Sequence, residues 1–128
     1  VSVTKYQGLV ERLQERAGES LLTVTRFTEA ESEFLYGEEW FERFVAAVDT
    51  RSPEKMHEDA VYRLQQAEVS GDLYGSRVRS ELRVTEDGIA IALYPGDGVG
   101  FHVLLDDEAS VDVPGIVDEA LAEIGDTP

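Results

Sequence analysis

Apolar residues in this chain recur at helical spacing in some segments and alternate in others, and that switch restricts the fold more than any other feature. From Thr4 to Ala17 they recur every three or four residues, as Tyr6, Leu9, Val10, Leu13 and Ala17, with Gly18 placed to end the helix in a left-handed cap. From Tyr74 to Thr85 they alternate instead. Val78, Leu82 and Val84 fall on one face, and Arg77, Arg79, Glu81 and Arg83 on the other. Ile89-Ala90-Ile91-Ala92-Leu93-Tyr94 is apolar on both faces, as suits a central strand covered on both sides. A chain carrying both periods buries the stripes of its helices against a sheet.

The remaining elements fit between these. Leu21 to Phe27 reads as a strand, with Leu22 and Val24 on one face and Leu21 and Phe27 on the other. The polar Thr28 to Glu31 then leads to a short strand at Glu33 to Tyr36, which predicts a hairpin. Gly37 precedes a helix over Glu38 to Val48 with a stripe of Phe41, Phe44, Val45 and Val48. Ser52-Pro53-Glu54-Lys55 is a helix start, Ser as cap and Pro in the first turn, for a helix continuing to about Glu68. These two helices also admit a single element bent at Asp49 to Ser52. Glu86-Asp87-Gly88 and Pro95 to Gly100 are turns around the strands Ile89 to Tyr94 and Phe101 to Leu105. Pro114 to Ile124 closes the chain as a helix, with Ile116, Val117, Leu121 and Ile124 inward. The expectation is an α+β fold with a five-stranded, mostly antiparallel sheet, in the order α-ββ-α(α)-βββ-α. With no repeat or linker, residues 1–128 read as a single domain.

Charge decides which partners such a fold can have. Asp and Glu number 27 against 11 basic residues, a formal net charge of −16, and only Lys5 and Lys55 are lysines. Leu, Ile, Val and Phe still supply 36 of 128 residues, enough for a core despite that charge. The acids are dispersed, the longest run being Asp106-Asp107-Glu108. A nucleic-acid mimic or a solvating tail would hold them in blocks. Dispersed acids, scarce Lys and retained Arg together point to a protein adapted to high intracellular salt, where a Debye length of about 3 Å at 1 M screens the self-repulsion. Direct nucleic-acid binding is not expected without a basic face. No apolar run approaches a bilayer span, the first residues lack a signal-peptide core, and there is no cysteine for disulfides or thiolate metal sites. The cytoplasm is the expected compartment.

The motif-like stretches dissolve on inspection. Gly96-Asp97-Gly98-Val99-Gly100 is glycine-rich like a phosphate loop, but a strand follows it rather than a helix, so a hairpin turn is expected. His57-Glu58 lacks the second histidine of a zinc-protease helix, because position 61 is Val61. His57 is expected at the surface, and His102 as a hydrogen-bonded residue of its strand. Ser76 after Gly75 is no nucleophile elbow, because Val78 holds the place of the second glycine. With so many acids, no carboxylate pair stands out. No catalytic, cofactor-binding or metal-ligating residue is nominated, and no cofactor is expected. Arg77, Arg79 and Arg83 are the local exception to the acidic trend, suited either to guarding an edge strand or to docking an acidic partner. Trp40 joins them as a candidate partner-binding residue.

The element order resembles the Roadblock/dynein light chain domain. Gly71-Asp72-Leu73-Tyr74 before an alternating strand, then Leu93-Tyr94-Pro95-Gly96-Asp97-Gly98, is similar to a family of small uncharacterised haloarchaeal proteins. The first resemblance implies a non-enzymatic interaction domain that pairs with itself through sheet edges and helices and serves small GTPases or regulatory assemblies. The alternative is a small-molecule sensor resembling a PAS or profilin-like fold. A pocket between sheet and helices lined by polar groups such as His102 and Tyr94 would favour it.

Overall fold

The chain's helix-period segments form four helices around one sheet in the computed structural model, which describes residues 5–47 and 52–127. Helix α1 (Gln7–Ala17) buries Leu9, Val10 and Leu13 and ends at Gly18, whose positive φ of 58° leads into a short 3₁₀ turn. Thr4, where the helix was expected to begin, lies outside the described residues. Strands β1 (Leu21–Phe27) and β2 (Ser32–Tyr36) form the expected hairpin. Helix α2 (Glu38–Ala47) follows; Val48 and the expected bend at residues 49–51 lie outside the described residues, as does the side chain of Val45. Helix α3 (Pro53–Tyr74) opens with Ser52, whose hydroxyl accepts the Lys55 N–H at 3.4 Å, and closes on Gly75 at φ 78°. Strands β3 (Ser80–Thr85), β4 (Gly88–Gly96) and β5 (Val99–Asp106) precede helix α4 (Val113–Gly125).

The five strands lie in the order β2-β1-β5-β4-β3, with every neighbouring pair antiparallel. Strands β2 and β3 are therefore the two edges. The Asp97-Gly98 turn between β4 and β5 has positive φ at both residues, 59° and 73°, the geometry that matches the twist of a tight hairpin. Gly100 serves a different end, because a Cβ there would strike the Phe27 ring opposite it.

Helices α1 and α4 cover one face of the sheet. Leu9, Leu13, Val24, Ile91, Leu93, Phe101, Val103, Leu105 and Ile116 close it, and Tyr6 meets Phe101 edge-on at 5.2 Å. At the rim Arg12 and Arg16 join α1 to Glu119 and Glu123 of α4 at 2.6–3.3 Å. Helix α3 lies on the opposite face, where Ala60, Leu64 and Ala67 meet Phe27, Ala92 and Tyr94.

Three expectations are corrected. Leu21 and Val24 share one face, because the pairing of β1 with β5 shifts register between Leu21 and Thr23 and a bulge turns the strand by one residue. The strand expected from Tyr74 begins only at Ser80. Helix α3 continues through Gly71-Asp72-Leu73-Tyr74, and residues 75–79 connect it to β3. The buried Ser70 holds that end, donating to the Ala67 carbonyl at 2.6 Å and accepting the Val78 N–H at 2.7 Å. Val78 was expected on the face of Leu82 and Val84 but packs with the α3-side cluster, while Leu82 and Val84 lie on the other face, 52% and 71% exposed, because the cover of α1 and α4 stops short of the β3 edge.

Candidate functional site

Two regions of the molecule carry unspent chemistry, and both involve α3 and β3. Among the described residues, every large exposed apolar side chain lies on these two elements or at their ends: Tyr62, Val69, Leu73, Tyr74, Leu82 and Val84. Tyr62, Val69 and Leu73 fall at helical spacing on the side of α3 opposite Ala60, Leu64 and Ala67. Among the described residues strand β3 pairs with β4 alone. The Arg79 carbonyl accepts the Tyr94 N–H, so the backbone groups of residues 79, 81, 83 and 85 point to β4. Those of Ser80, Leu82 and Val84 point away from the sheet.

The second region is a cleft of about 210 Å³ between α3 and the sheet. Asp59 and Arg63 of α3 form one wall, joined to each other at 2.9 Å, and Glu81 and Arg83 of β3 form the other. Ala90, Ala92, Tyr94, His102 and Leu104 line the space between them. Small side chains on β4 leave this room. Tyr94 is fully buried and donates its hydroxyl to Glu81 Oε1 at 2.6 Å. Burial first, then that hydrogen bond and the charge of Glu81, hold the Tyr94 proton well above the usual phenol range.

His102 sits deep in the cleft, packed on the Phe27 ring at 4.7 Å, and keeps some solvent contact through the mouth. Burial pushes its pKa down to about 4; Arg83 and Arg63 act in the same direction and Asp59 and Glu81 against it. It is therefore neutral at pH 7. The sequence reading expected a hydrogen-bonded strand residue, yet no protein hydrogen bond is formed by its ring among the described residues. His57, expected at the surface, lies there half-buried and clips α3 to the first hairpin. Its Nε2 lies 3.2 Å from the Glu29 carbonyl and so donates, and its Nδ1 shares a hydrogen bond with the Ser32 hydroxyl at 2.5 Å.

The arginine cluster is divided by the structure. Arg77 and Arg79 precede β3 rather than lying on it. The Arg77 guanidinium donates to the carbonyls of Tyr94 and Pro95 at 2.9 and 3.4 Å, which braces the connection from α3. Arg79 is exposed, and only Arg83 is on the strand, at the cleft. Trp40 lies far from all three in the fold, half-buried and stacked on Phe44 at 5.2 Å in an open groove with Leu21, Leu22, Tyr36 and Arg43. Sequence reasoning missed Asp59, Arg63 and Glu81. The i, i+4 spacing of Asp59 and Arg63 was legible as a helix pair, but nothing in it signalled a facing strand. Among the described residues no group of three or more His, Asp or Glu is placed to hold a metal ion, and no helix is long and apolar enough to cross a membrane.

Several solved structures share this fold. Myxococcus xanthus MglB is similar at 13% identity and a TM-score of 0.65, over 95% of this chain and 86% of that one. The Roadblock/LC7 domain from Streptomyces avermitilis matches at 15% identity and 0.57, over 93% and 90%. An MglB with a tetrameric arrangement matches at 12% and 0.57, over 95% and 85%. At such identities the likeness concerns the fold, which is the α+β, Roadblock/MglB-like architecture expected from the element order. No curated protein matches the chain. Residues 7–125 match DUF7522, a domain of unknown function, and the chain belongs to that family.

Proposed function

We propose that this chain is a non-enzymatic interaction domain that pairs with a second copy of itself along the β3 edge. The observation that carries the reading is the confinement of the exposed large apolar side chains to α3 and β3. The edge is also self-complementary. Two copies of β3 placed antiparallel about Leu82 bring the outward backbone groups of residues 80, 82 and 84 into register. The same register sets Glu81 of one copy opposite Arg83 of the other, twice, so the pairing joins opposite charges on an otherwise acidic molecule. One protein of similar fold is an MglB in a tetrameric arrangement, which supports assembly of such domains by analogy of fold alone.

The acidic surface suits this domain to concentrated salt in the cytoplasm, where charge repulsion between copies is screened. Residues 1–128 act as one domain in this reading. Its outer partner is a regulatory protein, with a small GTPase the class that the Roadblock resemblance implies. Arg79 and the Trp40 groove remain exposed in the pair and are the residues we assign to that partner.

Light scattering in molar salt tests the pairing. The expected mass is twice the 14.2 kDa of the chain. Leu82→Pro should give the single-chain mass with the circular dichroism unchanged, because an edge strand tolerates proline where its N–H faces outward. A monomeric wild-type protein at roughly 100 μM, far above the micromolar range of a specific pair, would sink the reading. Lowering the salt below about 0.5 M should loosen the fold, and a dichroism signal that stays constant would remove the salt-adapted part.

A further inference from the structure

The cleft beneath α3 has a property that self-association does not use. Its two walls each carry one acid and one base, Asp59 with Arg63 and Glu81 with Arg83, and the groups between them, His102 and Tyr94, are neutral at pH 7. Its charge is thus balanced within a molecule of net charge −16. The usual alternative, an anion site, would meet two carboxylates at its walls. A cation site would meet two guanidinium groups. The occupant that complements such walls carries both signs itself.

Size narrows the class further. A space of about 210 Å³ matches about seven waters at roughly 30 Å³ each. It is smaller than the roughly 300 Å³ at which drug-sized pockets begin. The Ala90 and Ala92 side chains keep it open, and Leu104 gives it one apolar wall. His102 offers a donor and an acceptor inside it that no protein group engages among the described residues, which a bound polar molecule or water would satisfy.

We propose that this cleft binds a small zwitterion of amino-acid size, its carboxylate toward Arg63 and Arg83 and its ammonium toward Asp59 and Glu81. Arg63 gives one guanidinium nitrogen to Asp59 through Nε at 2.9 Å, so its terminal nitrogens are left for a carboxylate. Arg83 makes no ion pair with another described residue. Glu81 already takes the Tyr94 hydroxyl on one oxygen, and its second oxygen remains an acceptor. Pairing along β3 shares Glu81 and Arg83 with this site but not Asp59 and Arg63, so the two readings can fail separately.

The protein has two histidines, which makes the test direct. The imidazole resonances of His57 and His102 are followed by NMR in molar salt while glycine, L-alanine, L-serine and L-proline are added in turn. At least one should move His102 with half-saturation at or below about 1 mM, the weak end of specific affinity, and leave His57 in place. Acetate and methylammonium, each carrying one of the two charges, should need at least about tenfold more. Arg63→Gln and Asp59→Asn should each weaken the response at least about tenfold without changing the mass by light scattering. No movement of His102 with any of the four up to about 50 mM, well beyond useful affinity, would overturn the proposal. So would acetate matching the best amino acid, or Arg63→Gln binding as the wild type does.

Discussion

The two faces of the sheet are built on different plans. Beneath α1 and α4 the strands present Val24, Ile91, Leu93, Phe101, Val103 and Leu105, and the helices answer with Leu9, Leu13 and Ile116. That face is packed with large aliphatic and aromatic groups and tied at its rim by Arg12 and Arg16. Beneath α3 the strands present Phe27 together with Thr25, Ala90, Ala92, Tyr94 and His102, and the helix answers with Ala60, Leu64 and Ala67. Small and polar groups leave a cleft there. The first face has the volume to hold the fold together, and the second has the chemistry to meet something else.

Three substitutions test that division, the largest expected effect first. Phe101→Ala on the first face should cost about 3–5 kcal/mol of unfolding free energy in a denaturant titration in molar salt. A loss no greater than that of Leu64→Ala on the second face would dissolve the contrast. His102 on the second face should make stability fall with acid. Its folded pKa of about 4 lies below the ordinary 6.5, so the unfolded chain binds the extra proton between those values. The stability present above pH 6.5 is then lost as pH falls toward 4, by about 3 kcal/mol at most. His102→Gln should flatten that part of the pH profile, and an unchanged slope would show that carboxylates alone produce it. Ser70→Ala should cost about 1–3 kcal/mol, because it removes the partner of the half-buried Val78 N–H. A neutral outcome would mean that the end of α3 is held by its packing, with Ser70 incidental.

Much of the architecture was legible because its signals are local. The stripe of Leu9, Val10 and Leu13, the Ser52-Pro53 start and the Asp97-Gly98 turn each act within a few residues, and their structures follow from spacing and backbone sterics. The segment from Tyr74 to Arg79 misled for the same reason. Its apolar and charged residues alternate as in a strand, yet the helix that carries Tyr62, Val69 and Leu73 runs through Tyr74 to its Gly75 cap, and residues 75–79 form the connection to β3. Helical hydrogen bonds and the Gly75 cap favoured the longer period. The bulge in β1 left no local signal, since it arises from pairing with β5, where Leu21 and Thr23 meet Leu105 and Leu104 from far along the chain.

The candidate site was less legible. Tyr94 and His102 could be named as polar groups on strands, but Asp59, Arg63 and Glu81 were three charges among many. Their meeting depends on how α3 crosses the sheet and on which strand forms the edge. Arg77 shows the converse. It looked like part of a basic strand face, and its guanidinium is instead spent on the carbonyls of Tyr94 and Pro95.

The amino-acid sequence alone therefore determined the element types, the count of five strands and the acidic surface, because period, capping and charge are properties of neighbouring residues. Strand order, the exposed β3 edge and the balanced cleft were decided by tertiary structure. Each requires groups distant along the chain to share one small volume, where burial sets their charge and hydrogen bonding.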